Sequence, residues 1–320
     1  KASRMRVHVT RKIPQPALQT LFQTGWDVFV GPEEIPSRSR FLWAATGAHG
    51  LLSLLTERID AEVMDRCPQL RVISNCAVGV DNIDVAEASA RGIVVCNTPG
   101  VLTEACADFT WALILGLRRR LLEADQWVRT GRFEGWGPLL LLGGDLHDCR
   151  LGLIGMGAIA QAVARRAAAF GCQVHYWSRT AREGPWQRHL QLDTLLQECD
   201  VVSLHVPLSA ETHHLINRHR LFQMQADALL INTSRGPVVD EAALAEVLAE
   251  GHLGGAALDV YEREPEVHPG LLSSPRVLLA PHLASATRGT RLRMAELAVE
   301  NLCRGLRGEA PLHQGGCKCN

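Results

Sequence analysis

Residues 151–180, LGLIGMGAIAQAVARRAAAFGCQVHYWSRT, constrain this chain more than any other stretch. They open on a short apolar run, residues 151–154, and turn through Gly155-Met156-Gly157-Ala158-Ile159-Ala160. A segment of helical period runs to Phe170 and is stopped by Gly171. A second apolar run, residues 174–177, then ends in Ser178-Arg179-Thr180. The order is strand, tight turn, helix, strand. Gly155 permits the turn, Gly157 lets a pyrophosphate approach the backbone, and small Ala160 lets helix and strand pack closely. The new helix also offers unpaired N–H groups and its positive dipole end to an anion. Such a glycine string is weak evidence alone, but its strand and helix flanks make it a dinucleotide fingerprint rather than an ordinary turn. Gly155, Gly157, Ala158 and Ile159 are the expected cofactor-contacting residues.

The end of the second strand selects the cofactor. An acidic side chain there would hold a ribose 2′-hydroxyl. This chain instead sets Arg179 between two hydroxyls, Ser178 and Thr180, a combination suited to a 2′-phosphate. The expectation is NADPH, with NADH as the second choice; the plain alternative for Arg179 is a solvated loop charge.

A chain of 320 residues exceeds what one hydrophobic core usually organises, so two domains are expected. The 33 Lys+Arg and 34 Asp+Glu nearly cancel, and no basic run is interleaved with aromatics, which argues against a nucleic-acid partner. No apolar stretch reaches membrane-spanning length, and the first residues lack the pattern of a secretory signal. Lys1 in place of Met reads as a trimmed start, and the expected location is cytoplasmic with no membrane partner. Of the ten cysteines, Cys76, Cys96, Cys106, Cys149, Cys172, Cys199 and Cys303 stand singly in apolar segments. Scattered cysteines of this kind read as small core residues of a reducing compartment. Cys317 and Cys319 read as a tail, the thirteen histidines show no metal-ligand spacing, and no metal is expected. His213-His214 reads as a solvated pair at a helix start.

Apolar runs at residues 5–9, 26–30, 50–55, 71–74 and 93–96 alternate with helix-like segments at 16–23, 61–67 and 85–91. Alternation of this kind means a parallel sheet covered on both faces. One long helix is expected over residues 104–129, then a loop over 131–148 whose apolar run, 139–142, suggests an interface. Beyond the glycine turn, further strands are expected at 201–206, 228–232, 255–260 and 277–280, with helices between them, as at 241–250. A last helix, about 288–306, returns to the first unit. The fold class is therefore α/β, with two doubly wound parallel-sheet domains. One is a Rossmann-like dinucleotide domain over 104–287. The other is a flavodoxin-like, discontinuous substrate-binding domain built from 1–103 plus 288–320.

In open α/β sheets the chemistry sits beyond the carboxyl ends of the strands. Thr233-Ser234-Arg235-Gly236 follows one strand, Glu262-Arg263-Glu264-Pro265 the next, and Pro281-His282-Leu283-Ala284-Ser285 the last. In the first unit Ala77-Val78-Gly79-Val80-Asp81 follows the run at 71–74. An Arg, a Glu and a His at successive strand ends can face one cleft. Reducing a 2-oxo acid needs a hydride donor, a proton donor for the carbonyl oxygen and a cation for the carboxylate. Arg235 can grip the carboxylate with two prongs. His282 can be the acid, since an imidazole titrates near neutrality and a carboxylate such as Glu264 favours its charged form. Peptide N–H groups at Val78 and Gly79 can bind the carboxylate, and Ser285 lies close enough in sequence to His282 to join them. Taken singly, each is more often a capping or solvated residue; their co-occurrence beside a cofactor fingerprint is what points to a site.

The chain resembles the D-isomer-specific 2-hydroxyacid dehydrogenases over nearly its whole length. The carrying motifs are AVGVDNID at 77–84, NTPGVLTE at 97–104, the 155–160 turn, Val206-Pro207-Leu208, residues 232–240, Leu258-Asp259-Val260, Glu264-Pro265 and Pro281-His282. Within the family it is most similar to the members that reduce glyoxylate and hydroxypyruvate. The resemblance implies that Arg235 binds substrate, Glu264 tunes His282, and His282 donates the proton. It also implies that Asp259 meets the nicotinamide end, that Thr103, Pro207, Thr233 and Ala284 line the cofactor, and that the protein is a homodimer joined through the segment after the long helix. The chain departs from the pattern at Ala160 and Ala284, where glycine is usual, and at 139–142, where some hydroxypyruvate-reducing relatives carry a Trp. Rival readings are another D-2-hydroxyacid dehydrogenase, of 2-ketogluconate or phosphoglycerate type, and a dinucleotide-sensing, corepressor-like binding protein.

Overall fold

Two sheets, both wholly parallel, organise the chain. The protein is described from a computed structural model, which covers residues 4–315; Cys317 and Cys319 lie outside the described residues. One compact unit runs up to Leu102 and resumes at Ala286; the other is Thr103–Ser285.

The first unit contains β1 (Arg6–Val9), α1 (Gln15–Phe22), β2 (Asp27–Val30), α2 (Arg38–Ala45), β3 (Gly50–Ser53), α3 (Ala61–Arg66), β4 (Val72–Asn75), α4 (Val85–Ala90), β5 (Val94–Cys96) and the last helix, Arg288–Leu306. Its sheet order is β2-β1-β3-β4-β5, the flavodoxin-like order, which reverses between β1 and β3. β3 and β4 are buried along their whole length, as expected of strands covered on both faces. Leu51, Ile73 and Val95 pack with Phe41, Val63 and Met64 on one face. The last helix lies on the sheet by close approach. A Cβ at Gly305 would stand 2.7 Å from Val72 Cγ2, and Ser74 Oγ donates to the Ala298 carbonyl at 2.6 Å.

The second unit contains α5 (Thr103–Arg118), α6 (Leu121–Arg129), β6 (Arg150–Ile154), α7 (Ala158–Ala167), β7 (Gln173–Trp177), β8 (Gln187–His189), α8 (Leu192–Glu198), β9 (Val201–Leu204), α9 (Arg218–Gln223), β10 (Leu229–Asn232), α10 (Glu241–Ala249), β11 (Gly255–Leu258), α11 (Pro269–Leu272) and β12 (Val277–Leu279). The sheet order is β12-β11-β10-β9-β6-β7-β8. The chain winds outward from β6 in one direction through β7 to β8 and then resumes on the other side of β6 with β9. The switch point therefore falls between the carboxyl ends of β6 and β9, where such sheets bind ligands. One face is covered by α5 and α7, with Trp111, Ile114, Ala160 and Val163 over Leu151, Leu153 and Tyr176. The other is covered by α8, α9 and α10, with Leu195, Leu221 and Leu244 over Ile154, Leu204 and Leu230.

Three sequence expectations are corrected. The helix expected over 104–129 is two helices, broken where Arg120 adopts φ 53°. The Arg118 carbonyl at the end of α5 accepts the Gly144 N–H at 3.1 Å, and the Arg118 guanidinium donates to the Asp145 carbonyl. The returning loop thus takes the carbonyl that the next helical turn would need. Strand β8 was not expected, because its Gln-Arg-His sequence carries no apolar pattern; it exists as an edge partner of β7. His213-His214 does not open a helix: His214 sits in a turn at φ 48°, with Nε2 3.0 Å from Glu262 Oε1.

Candidate active site

The glycine turn occupies the switch point. Gly155 has φ +90°, and a Cβ there would run into the His205 carbonyl after β9, so only glycine serves. Its N–H donates to the Trp177 carbonyl at 2.8 Å, and the His205 N–H donates to the Ile154 carbonyl at 2.7 Å. The turn is thus tied to both neighbouring strands. Gly157 differs: a Cβ there would meet nothing within 4 Å. Gly157 and Ala158 are exposed, and no side chain caps the start of α7. The first N–H groups of α7 therefore open onto free space. These features fit the pyrophosphate of a dinucleotide. Ala160, in the third glycine position, is fully buried in the α5–α7 core.

The loop after β7 is ordered by a residue that carries no sequence signal. Arg188 Nη2, from the edge strand, donates to the carbonyls of Ser178 and Arg179, each at 3.0 Å. The Ser178 hydroxyl donates to the Thr180 carbonyl. Arg179 itself is exposed and has no ion-pair partner among the described residues. Thr103 begins α5, Thr233 Oγ1 lies 3.3 Å from Thr110 Oγ1, and the Pro207 carbonyl accepts from Thr212 at 2.6 Å.

At the carboxyl ends of β10, β11 and β12 the expected Arg, Glu and His come together in one unit. His282 Nδ1 lies 3.0 Å from Glu264 Oε2, with side chains 26% and 33% exposed. His282 has φ +58°, in the left-handed region, and is held there by Asp259. The Asp259 carbonyl accepts the His282 N–H at 2.9 Å, while its carboxylate accepts the N–H of Leu283 at 2.6 Å and of Ala284 at 2.9 Å. Asp259 is fully buried, so its charge is spent on fixing this loop. Tyr261 ties the same ends together, its hydroxyl donating to the Ala280 carbonyl at 2.8 Å. The other Glu264 oxygen accepts the Tyr261 N–H at 3.1 Å. Burial alone would raise the Glu264 carboxyl. The His282 ring by hydrogen bond and charge, the Tyr261 N–H and the Arg235 charge outweigh it and hold the group below the usual glutamate value. Burial pushes the Asp259 carboxyl up, against the pull of its two N–H donors. Arg235 precedes Gly236, whose Cβ would strike the Tyr261 carbonyl; the Asn232 amide holds the Arg235 carbonyl at 2.9 Å. Ser285 is half-buried next to this loop.

In the other unit, the loop after β4 is aimed by asparagines that sequence reasoning passed over. Asn75 Nδ2 donates to the Gly79 carbonyl at 3.0 Å and Asn97 Nδ2 to the Val78 carbonyl at 2.8 Å. With those carbonyls engaged, the Val78 and Gly79 N–H groups find no acceptor among the described residues.

A parallel doubly wound sheet with a glycine turn at its switch point and an imidazole–carboxylate pair at its strand ends defines a nicotinamide-dinucleotide oxidoreductase. The family model for the D-isomer specific 2-hydroxyacid dehydrogenase, NAD binding domain, matches residues 111–284. A glyoxylate reductase of Thermofilum pendens is 48% identical, covering 97% of this chain and 94% of the relative. A solved protein of Thermus thermophilus is 49% identical with TM-score 0.93, covering 97% of this chain and all of that one. An NADPH-dependent glyoxylate/hydroxypyruvate reductase of Sinorhizobium meliloti, solved with NADP and malonate, is 36% identical with TM-score 0.85, covering 98% and 97%. The chain belongs to the D-isomer specific 2-hydroxyacid dehydrogenases, which are NAD(P)-dependent oxidoreductases.

Proposed function

We propose that the protein reduces small 2-oxo acids, glyoxylate to glycolate and hydroxypyruvate to D-glycerate, with NADPH preferred over NADH. The carrying observation is the His282–Glu264 pair at 3.0 Å on a loop pinned by Asp259. Glu264 engages Nδ1, which leaves Nε2 for the substrate. When bound, the nicotinamide cofactor supplies the hydride. The protonated His282 ring gives its Nε2 proton to the carbonyl oxygen as negative charge develops there, and Glu264 stabilises the imidazolium beforehand. Arg235 is assigned to the substrate carboxylate in a two-pronged contact; Val78, Gly79 and Ser285 are assigned to substrate as well. Asp259 acts by positioning His282.

The dinucleotide falls to residues 104–287 and the substrate-binding role to 1–103 plus 288–320. Exposed Arg179, on a loop whose carbonyls Arg188 has already taken, supports a 2′-phosphate, with Ser178 and Thr180 beside it. Thr103, Pro207, Thr233 and Ala284 complete the cofactor lining. The NADPH-dependent relative supports the same choice. A homodimer is supported by α6, of which no residue is buried, and by the loop after it, where Trp136 is 86% and Leu139 80% exposed. Apolar surface of that kind calls for a partner.

Following the oxidation of NADPH and NADH with glyoxylate, hydroxypyruvate, pyruvate and 2-ketogluconate tests the reading. Turnover is expected with the first two and is largely lost in His282→Ala. An absence of turnover with every 2-oxo acid would end it.

A further inference from the structure

We infer that the second unit carries a divalent-cation site of the borderline, zinc-type class, built from His175 on β7, His189 on β8 and Glu198 at the end of α8. Nothing in the reductase chemistry uses these residues. They are far enough apart in sequence that no ligand spacing shows, and the fold assembles them. Parallel pairing sets Trp177 opposite His189 and His175 opposite Gln187, so the two histidines are diagonal neighbours on one face of the sheet. Helix α8 then delivers Glu198 to the same point.

The geometry is that of a coordination triangle. His175 Nδ1 and His189 Nε2 are 2.8 Å apart, and Glu198 Oε2 lies 3.9 Å from the first and 3.8 Å from the second. A point equidistant from these three atoms stands about 2.1 Å from each, the length of a zinc–nitrogen or zinc–oxygen bond. Two buried imidazoles facing each other nitrogen to nitrogen share one proton at most between them. The ring centroids are 5.1 Å apart, so the two nitrogens aim at each other, and a dication takes the place of the shared proton once the rings tilt toward Glu198. Two imidazoles and one carboxylate suit zinc or its first-row neighbours and not calcium or magnesium, which take oxygen sets.

Surrounding charge is mixed. Burial and the neighbouring His189 and Arg150 disfavour a charged His175 ring, while Glu198 and Asp200 favour it. Arg150 is turned toward backbone, its Nη1 donating to the Glu198 carbonyl at 3.3 Å. The Glu198 side chain is 40% exposed, which gives the ion an entry path and leaves a fourth position to water. Strand β8 is the sheet edge, held by three residue pairs. An ion here staples that edge to β7 and α8 and so adds folding stability.

The test uses the full-length, untagged chain, freed of metal by a chelator and dialysed. Zinc chloride is titrated by calorimetry, and cobalt chloride by the visible absorption of a four-coordinate ion. The wild-type chain should take up an equivalent with a rise in melting temperature. Glu198→Gln and His189→Gln should each weaken that uptake about tenfold or more. His214→Gln should retain it; that residue belongs to the other cluster of ligating groups among the described residues, with Asp240 and Glu262. If His189→Gln fails to fold, Glu198→Gln, a change at a part-exposed helix end, decides alone. Wild-type protein that takes up neither ion overturns the inference. So does uptake unchanged in Glu198→Gln, or uptake lost only in His214→Gln.

Discussion

Replacing Glu264 by Gln is the sharpest probe of the proposed chemistry, because it removes a charge and almost no volume. Glu264 gives one oxygen to the Tyr261 N–H at 3.1 Å and the other to His282 Nδ1 at 3.0 Å. A glutamine cannot do both. If its oxygen stays with Tyr261, its NH2 faces Nδ1 and demands a neutral ring there. If the amide flips, the NH2 confronts the Tyr261 N–H. Both outcomes disfavour the imidazolium. A hydrogen bond to a charged group is worth about 1.5–3 kcal/mol. With the pair a quarter to a third exposed, the lower part of that range applies, about 1.5–2 kcal/mol, or about 10- to 30-fold in rate. The absorbance of the reduced nicotinamide, followed with glyoxylate across pH, should show kcat lower by that factor. The alkaline fall-off of reduction should move toward acid, since a neutral amide favours the charged ring less than a carboxylate does. A rate within about twofold of wild type with an unshifted profile would refute the reasoning, since that loss is below about 0.5 kcal/mol. Stability offers a second readout. The Glu264 carboxyl is held low in the folded state, so its stabilisation is present above the ordinary carboxyl range and is lost as pH falls through the lowered value. The denaturant midpoints of wild type and Glu264→Gln should therefore differ at neutral pH and converge in acid.

Arg179→Asp should weaken NADPH and spare NADH, by about 1.5–3 kcal/mol if Arg179 makes a charge-assisted bond to the 2′-phosphate; equal loss of both cofactors in fluorescence titrations would make Arg179 structural. Gly155→Ala sets a methyl against the His205 carbonyl at φ +90°, and should cost about 2 kcal/mol or more in urea unfolding; a stable variant with full cofactor affinity would contradict the tight turn. Asp259→Asn leaves one of the Leu283 and Ala284 N–H donors facing an NH2, for a loss of about 1–3 kcal/mol together with a fall in kcat; a fall in stability with kcat unchanged would remove Asp259 from the positioning of His282. Leu139→Asp should lower the mass seen by sedimentation equilibrium if the exposed loop joins two copies, and an unchanged mass would place the interface elsewhere.

Much of this protein is written locally. The apolar runs at β3, β4, β6, β9 and β10 are buried on both faces, so each announces itself as a parallel strand without reference to its neighbours. The turn at Gly155–Gly157 is also legible locally, as a glycine string between an apolar run and a helical period, although what bars a side chain at Gly155 is the His205 carbonyl far along the chain. Motif spacing likewise pointed to Arg235, Glu264 and His282, because strand ends in such a sheet fall on one edge. What the sequence could not decide were features whose cause lies far along the chain. The break at Arg120 depends on the Gly144 N–H reaching the Arg118 carbonyl, and a helical period reads straight through it. Strand β8 is polar and exists only because β7 has an open edge. Asn75 and Arg188 carry no motif, and Asn97 opens one without revealing its contact, yet all three aim loops by bonding backbone carbonyls, which have no sequence signature. Asp259 could be read as a residue facing the cofactor, but only folding showed both its carboxylate oxygens given to the N–H groups beside His282. The pairing of His175 with His189 and Glu198 is of the same kind: side chains that are strangers in sequence meet because register and strand order, set by the whole sheet, bring them to one point.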